Sequence, residues 1–183
     1  MVSEASPPRR GLVFDSSVLS AFAEAGYLDM LGHYLAEDEC FATDVVRDEI
    51  RTGSVTRPEL EAVERAEWLR RGELSTDTEL LAFARWATLI GSGTHDLGEA
   101  SVFAFAEVKG TISVIDDRPA TRVGRAHGLD VHGSLWMIGG FCRSGKLTEH
   151  AASRMIDALR GVGARLPCTG NEFPGWARRQ GLL

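Results

Sequence analysis

Two apolar runs of strand length, LVF at 12–14 and ISVI at 112–115, each end directly on aspartate. Amphipathic stretches of helix length fill most of the chain between them. Parallel strands need long crossover connections, so this alternation of strand-length and helix-length segments constrains the fold most. It predicts an α/β architecture with a mostly parallel central sheet. At 183 residues, the chain has the length of one compact domain.

The spacing predicts strands at about 11–16, 40–43, 111–115 and 129–133. A helical stretch follows the first strand, with Gly26 as a break inside it. Thr43 is placed to cap the helix DVVRDEI, and Thr76 or Asp77 to cap TELLAFARWATLI. The run PELEAVERAEWLRRG reads as one helix, and GSGTHDLG (91–98) as a loop. EASVFAFAEVKG is apolar on almost every face, which marks a buried helix closed by Gly110. RPATRVGRAHG is a helix with Pro119 in its first turn. Two more helical stretches fill 134–160, and the tail LPCTGNEFPGWARRQGLL shows no clear periodicity.

Composition excludes more than it selects. No apolar stretch is long enough to span a bilayer. Arg9 and Arg10 precede an apolar run, as in a secretory leader, but Asp15 interrupts that run and no small-residue cleavage site follows. The expected location is the cytoplasm. Three cysteines without CxxC spacing argue against a cysteine-built zinc site. The formal net charge of −6 does not advertise nucleic-acid binding. The basic residues are nearly all arginine, a side chain suited to bidentate contact with phosphate, although codon bias would give the same count.

The carboxylates carry the argument. Asp15 sits where a strand ends, the position at which open α/β sheets bind ligands. Asp15, Ser16 or Ser17 would equally cap the next helix. Glu49 lies four residues after Val45 and three after Val46, on the apolar face of its helix. A glutamate at the edge of that stripe, reaching out to water, is the alternative. Glu99 stands in the first turn of the buried helix, where a favourable contact with the helix dipole would also explain it. Asp116 and Asp117 end the strand ISVI, and a capping role for Asp117 leaves Asp116 unexplained. Taken together, these acids would converge at one end of a parallel sheet. Clustered carboxylates repel unless a cation holds them, and all-oxygen ligands suit Mg²⁺ or Mn²⁺.

At these residues the chain resembles the PIN-domain family, the fold of many metal-dependent ribonucleases and of VapC-type toxins of toxin–antitoxin pairs. LVFDSSVL resembles the family's opening strand with its first acid, followed by a Ser or Thr, here Ser16. DVVRDEI resembles the helix carrying the second acid, Glu49. GEASVFAFAEVKGTISVIDDRPATRVGRAHGLDVHGSLWMI is similar to a PIN subgroup with a GEA opening and a strand ending in a double aspartate. The resemblance makes Glu99 the third acid and Asp117 or Asp116 the fourth. Ile115 stands where the family's T-x-D pattern has threonine. The family implies a three-layer α/β/α sandwich and hydrolysis of RNA with Mg²⁺ or Mn²⁺ held by Asp15, Glu49, Glu99, Asp116 and Asp117. It also implies RNA as partner, with a small antitoxin protein or a homodimer as further partners and no membrane. The expected organisation is a flexible segment over 1–10, a PIN-like domain over 11–145, and a helical extension and tail over 146–183 packing on the same domain.

Arg118, Arg122 and Arg125 fall at i, i+4 and i+7, one basic stripe beside the acids. Phosphate contact is the functional reading and a solvated helix face the plain one. GFCRSGKL (140–147) matches G-x₄-G-K, but Leu147 stands where a P-loop needs Ser or Thr, and Gly145 reads simply as a helix end. The five histidines show no ligand spacing. His95, near Glu99, reads as a loop residue. Two other functions compete with the nuclease: a PIN-like module that binds RNA or a protein without cleaving, and a phosphatase, which lacks a D-x-D-x-T motif here.

Overall fold

The computed structural model describes residues 11–91 and 96–183. The expected flexible segment 1–10 and His95 lie outside the described residues. Strand β1 (Gly11–Phe14) leads through helices α1 (Ser16–Glu24) and α2 (Leu28–Tyr34) to β2 (Glu39–Thr43). Helix α3 (Asp44–Ser54), a 3₁₀ turn (Pro58–Leu60) and α4 (Glu61–Arg65) connect to β3 (Leu69–Gly72). Then come α5 (Asp77–Ile90), α6 (Asp96–Lys109), β4 (Ile112–Val114), α7 (Arg118–Ala126) and β5 (Val131–His132). Helices α8 (Ser134–Arg143), α9 (Glu149–Gly161) and α10 (Phe173–Arg179) complete the chain.

The five strands order as β3-β2-β1-β4-β5, every neighbouring pair parallel. Helices cover both faces, giving the three-layer α/β/α sandwich. From β1 the chain winds outward through β2 to β3, then returns to place β4 on the other side of β1. The direction of winding reverses between β1 and β4, and such a switch point opens a crevice beyond the carboxyl ends of the two strands. Asp15 follows β1, and Asp116 and Asp117 follow β4. The backbone N–H of Asp15 donates to the Val114 carbonyl at 3.0 Å, so the two acid-bearing ends are held in register.

The core explains why these elements form. Val13 and Phe14 of β1 are fully buried, as are Val102 to Ala104 of α6, whose buried run extends from Ala100 to Ala106. Gly26 breaks the first helical stretch in two with φ +73°, a conformation costly for any residue with a Cβ. Thr76 rather than Asp77 caps α5, in a full capping box with Glu79.

Three expectations need correction. The single helix over 58–72 ends at Arg65, and Leu69–Gly72 is the edge strand β3, burying Leu69 and Gly72 and exposing Arg70 and Arg71. Of the loop expected over 91–98, positions 96–98 belong to α6, which begins at Asp96, and 92–95 lie outside the described residues. The aperiodic tail contains α10, which buries Phe173 and Ala177, one helical turn apart. The segment 140–147 is the end of α8 with its turn. Lys146 donates to the Tyr34 carbonyl at 2.8 Å and Leu147 is buried, as the helix-end reading requires.

Candidate active site

A cleft of about 760 Å³ opens at the switch point. Asp15, Glu49, Glu99, Asp116 and Asp117 all line it, together with Ser16 and Arg118.

Each carboxylate is placed by local chemistry. Asp15 caps α1: its Oδ2 accepts the Ser17 backbone N–H at 3.0 Å and the Ser17 hydroxyl at 2.5 Å. Only 4% of Asp15 is exposed. Burial pushes its pKa above the ordinary value, against the opposing Ser17 bonds, and the charge of Asp117 adds to the rise. Asp117 caps α7 by accepting the Ala120 N–H at 2.8 Å. Asp116 accepts the Ser134 N–H at 2.8 Å and the Ser134 hydroxyl at 2.6 Å, tying β4 to the start of α8. A Cβ on Gly133 would stand 2.5 Å from Asp116 Oδ1, so this approach needs glycine. Burial raises Asp116 as well, with a smaller contribution from the charge of Asp15.

The capping role and the place in the cleft are therefore compatible. A capping bond fixes the carboxylate, and the strand end aims it at the switch point.

Glu49 and Glu99 come from different helices, joined by a short hydroxyl chain. Thr43 caps α3 by accepting the Val46 N–H at 3.2 Å. Its hydroxyl lies 2.6 Å from that of Ser101 in α6, which donates to the Gly98 carbonyl at 2.6 Å. The first turns of the two helices are thereby clasped. Gly98 makes the clasp close: a Cβ there would stand 2.7 Å from both carboxylate oxygens of Glu49. Glu99, half-buried, is pushed up to about 8 by burial first and then by the charges of Asp15, Asp117, Asp96 and Glu49.

Of the three arginines in the predicted stripe, Arg118 alone lines the cleft. Arg125 donates from Nε and Nη2 to the Val131 carbonyl at 3.0 and 2.6 Å, bracing α7 against β5. Arg122 is exposed on α7 and outside the cleft lining. Two arginines that carried no motif do line it, Arg57 and Arg165. Arg57 is paired with Glu24, also in the lining, at 2.8 Å. Neither arginine adjoins one of the five cleft acids in sequence, so only the folded chain brings them in.

The residues suit a divalent ion in kind. All donors are hard oxygens, and the repulsion that adds to the effect of burial on Glu99 is what a cation would relieve. Among the described residues, no three His, Cys, Asp or Glu side chains already stand close enough together to hold an ion, so the acids line the cleft as an open set.

A family model described as "DUF3368: PIN domain" matches residues 11–169. The chain belongs to the PIN-domain family. The match spans all five strands and runs past α9, further than the motif-bearing stretch 11–145. PIN domains are generally nucleases, hydrolases that act on nucleic acid, and they typically use divalent metals. No curated protein matches the chain. Among the described residues of this PIN domain, no helix is long and apolar enough to cross a membrane.

Proposed function

We propose that this PIN domain is a divalent-metal-dependent ribonuclease of the cytoplasm, with Asp15, Glu49, Glu99 and Asp117 as its catalytic acids. The observation that carries this reading is the lining of one switch-point cleft by these acids, with Glu99 raised to about 8 by burial and by its neighbours' charges. Asp15, Glu49, Glu99, Asp116 and Asp117 would hold Mg²⁺ or Mn²⁺. A bound ion supplies Lewis-acid chemistry, activating water and neutralising charge that develops on phosphorus. The chain's own residues do the rest. The hydrogen bonds accepted by Asp15, Asp116 and Asp117 fix three carboxylates before substrate arrives, which removes reorganisation from the reaction. Glu99, pushed up to about 8, favours its protonated form near neutral pH and would give up that proton to hold a cation. Arg118 and Ser16, at the rim, meet the phosphate backbone; Arg122 extends that basic surface, and Arg125 braces it.

A role as the toxin of a toxin–antitoxin pair, restrained by a small antitoxin protein, belongs to the same proposal, as does a homodimer. The exposed Leu80, Leu81 and Leu89 of α5 support a protein contact. A second reading, an RNA- or protein-binding PIN module without cleavage, draws on the capping bonds that already engage Asp15 and Asp116.

The test is incubation of the full chain with a mixed pool of labelled single-stranded RNA, in Mn²⁺ and in EDTA. Cleavage in Mn²⁺ alone is expected. Binding without cleavage selects the second reading, and cleavage in EDTA rules out the metal-dependent one.

A further inference from the structure

The acid cleft has a wall that none of the acid-bearing segments supplies. Residues Val162 to Leu166, which follow α9, line it together with Asp15, Glu99 and Asp117. We propose that Arg165, on this wall, is a substrate-positioning residue that seats a backbone phosphate of single-stranded nucleic acid, alongside Arg118. This inference rests on the nuclease reading above and adds the part of the chain that holds the strand.

The loop is built rather than loose. The N–H groups of Val162, Gly163 and Ala164 bond back to the carbonyls of Ala158, Arg160 and Leu159, closing the end of α9. Gly163 takes φ +102°, which only glycine adopts readily, and turns the chain toward the cleft. Leu166 is buried in the core, and its carbonyl accepts from Arg160 Nη1 at 2.8 Å. Arg165 is thus flanked on one side by a helix end and on the other by an anchored leucine. The backbone on both sides is fixed and the side chain is exposed.

The charge pattern points the same way. Most arginines near carboxylates in this protein are spent on them: Arg51 on Asp48, Arg65 on Glu61, Arg70 on Glu39, Arg178 on Glu149. Arg57, in the cleft itself, is spent on Glu24. Among the described residues, Arg118 and Arg165 form no ion pair although they line a cleft rich in acids. A guanidinium left open beside such a cluster suits a ligand that is anionic and extended, touching both the arginines and the cation-holding acids. A phosphodiester backbone is that ligand, and arginine's planar fork meets phosphate oxygens two at a time. Among the described residues no aromatic side chain lines the cleft, so the proposed contact is to the backbone.

The test measures binding of a fluorescein-labelled single-stranded RNA to the full chain in EDTA across a salt series, with melting and Mn²⁺ cleavage followed in parallel. Arg165→Gln is expected to bind several-fold more weakly at low salt. Its salt slope should be shallower by about 0.7, the value of one lost single-strand phosphate contact. Its melting temperature should match wild type. Arg165→Lys should keep the slope. Arg154→Gln, exposed on α9 but outside the cleft lining, should bind like wild type. Wild-type binding by Arg165→Gln, an equal loss in Arg154→Gln, or a loss accompanied by lower melting would each overturn the role of Arg165, while wild-type cleavage leaves the nuclease reading standing. If wild type neither binds nor cleaves RNA, both fall together.

Discussion

Two glutamates sit in the first turns of neighbouring helices and meet opposite fates. Glu79 of α5 is 2% exposed, yet its Oε2 accepts the N–H groups of Ser75 and Thr76, each at 2.9 Å, and its Oε1 lies 2.7 Å from Lys109 Nζ. The lysine bond first, and then the backbone bonds, hold its pKa down at about 2. Glu99 of α6 is half-buried and pushed up to about 8, by burial first and then by the charges of Asp15, Asp117, Asp96 and Glu49. Both are glutamates of a first turn, the third residue of α5 and the fourth of α6; the difference lies in which charges surround them. For Glu79 the protein supplies it, and the result is a structural clamp between α5 and α6. For Glu99 the protein supplies further acids, and under the proposed function the counter-charge would come from a bound cation.

The largest expected effect is in the cleft. Asp15→Asn keeps an oxygen that can accept the Ser17 N–H, so the cap of α1 survives. It removes one charge of the set that would hold a cation. RNA cleavage in Mn²⁺ should fall by at least about 10²-fold, the scale of losing one charge-stabilising group. Melting in EDTA should be unchanged or higher, since a repelling charge has gone. Cleavage at the wild-type rate would reduce Asp15 to a cap and place it with Glu79.

Next in size is Gly98→Ala. The added Cβ would sit 2.7 Å from both Glu49 oxygens, so the carboxylate must move. Small misplacements of catalytic groups cost up to about 10²-fold, and a loss of cleavage on the order of tenfold is expected. Steady-state cleavage rates at saturating Mn²⁺ check it.

Glu79→Ala should do the reverse. It removes the capping box and the lysine contact, costing about 1 kcal/mol by the usual scale of a lost cap, with cleavage at wild-type level below the melting transition. Urea unfolding with a parallel RNA assay checks both halves.

The last effect is on pH dependence, and its sign separates the two regions. Glu99's folded value, about 8, lies above the ordinary 4.5. Its contribution to stability is fully present below 4.5 and is lost as pH rises through about 8. Glu79's folded value, about 2, lies below 4.5, so its contribution is present above 4.5 and lost as pH falls through about 2. In metal-free protein, Glu99→Gln should flatten the decline between pH 5 and 8, and Glu79→Gln should flatten the decline at acid pH. Melting temperatures across a buffer series measure both.

The same contrast shows what the sequence made legible. The acids could be found because each breaks a local pattern: Asp15 and Asp116 interrupt apolar strands, and Glu49 lies on an apolar helix face. The α/β class followed from the alternation around them. Strand β3 was hidden because Arg70 and Arg71 are good helix formers. Its strand character comes from parallel pairing with β2, Cys40 opposite Leu69 and Thr43 opposite Gly72, a long-range fact. Helix α10 was hidden because seven residues hold too few turns to show a period. Among the basic residues, the spacing that grouped Arg118, Arg122 and Arg125 found one face of α7, but a helix face is not a cleft. Arg125 is bonded to the Val131 carbonyl, while Arg57 and Arg165 arrived through tertiary packing that no local motif records.

The central claim, that an external cation completes the Glu99 region as Lys109 completes the Glu79 region, is tested most directly by melting EDTA-stripped full-length protein at pH 7 while Mn²⁺ is titrated in. Binding to the folded state alone raises stability by about 2.7 kcal/mol at a hundredfold excess over the dissociation constant, which a melt resolves readily. Wild type should rise with Mn²⁺, Glu79→Gln should rise by as much, and Glu99→Gln should rise far less. A wild-type melting temperature unmoved at millimolar Mn²⁺, or an equal rise in Glu99→Gln, would contradict the account.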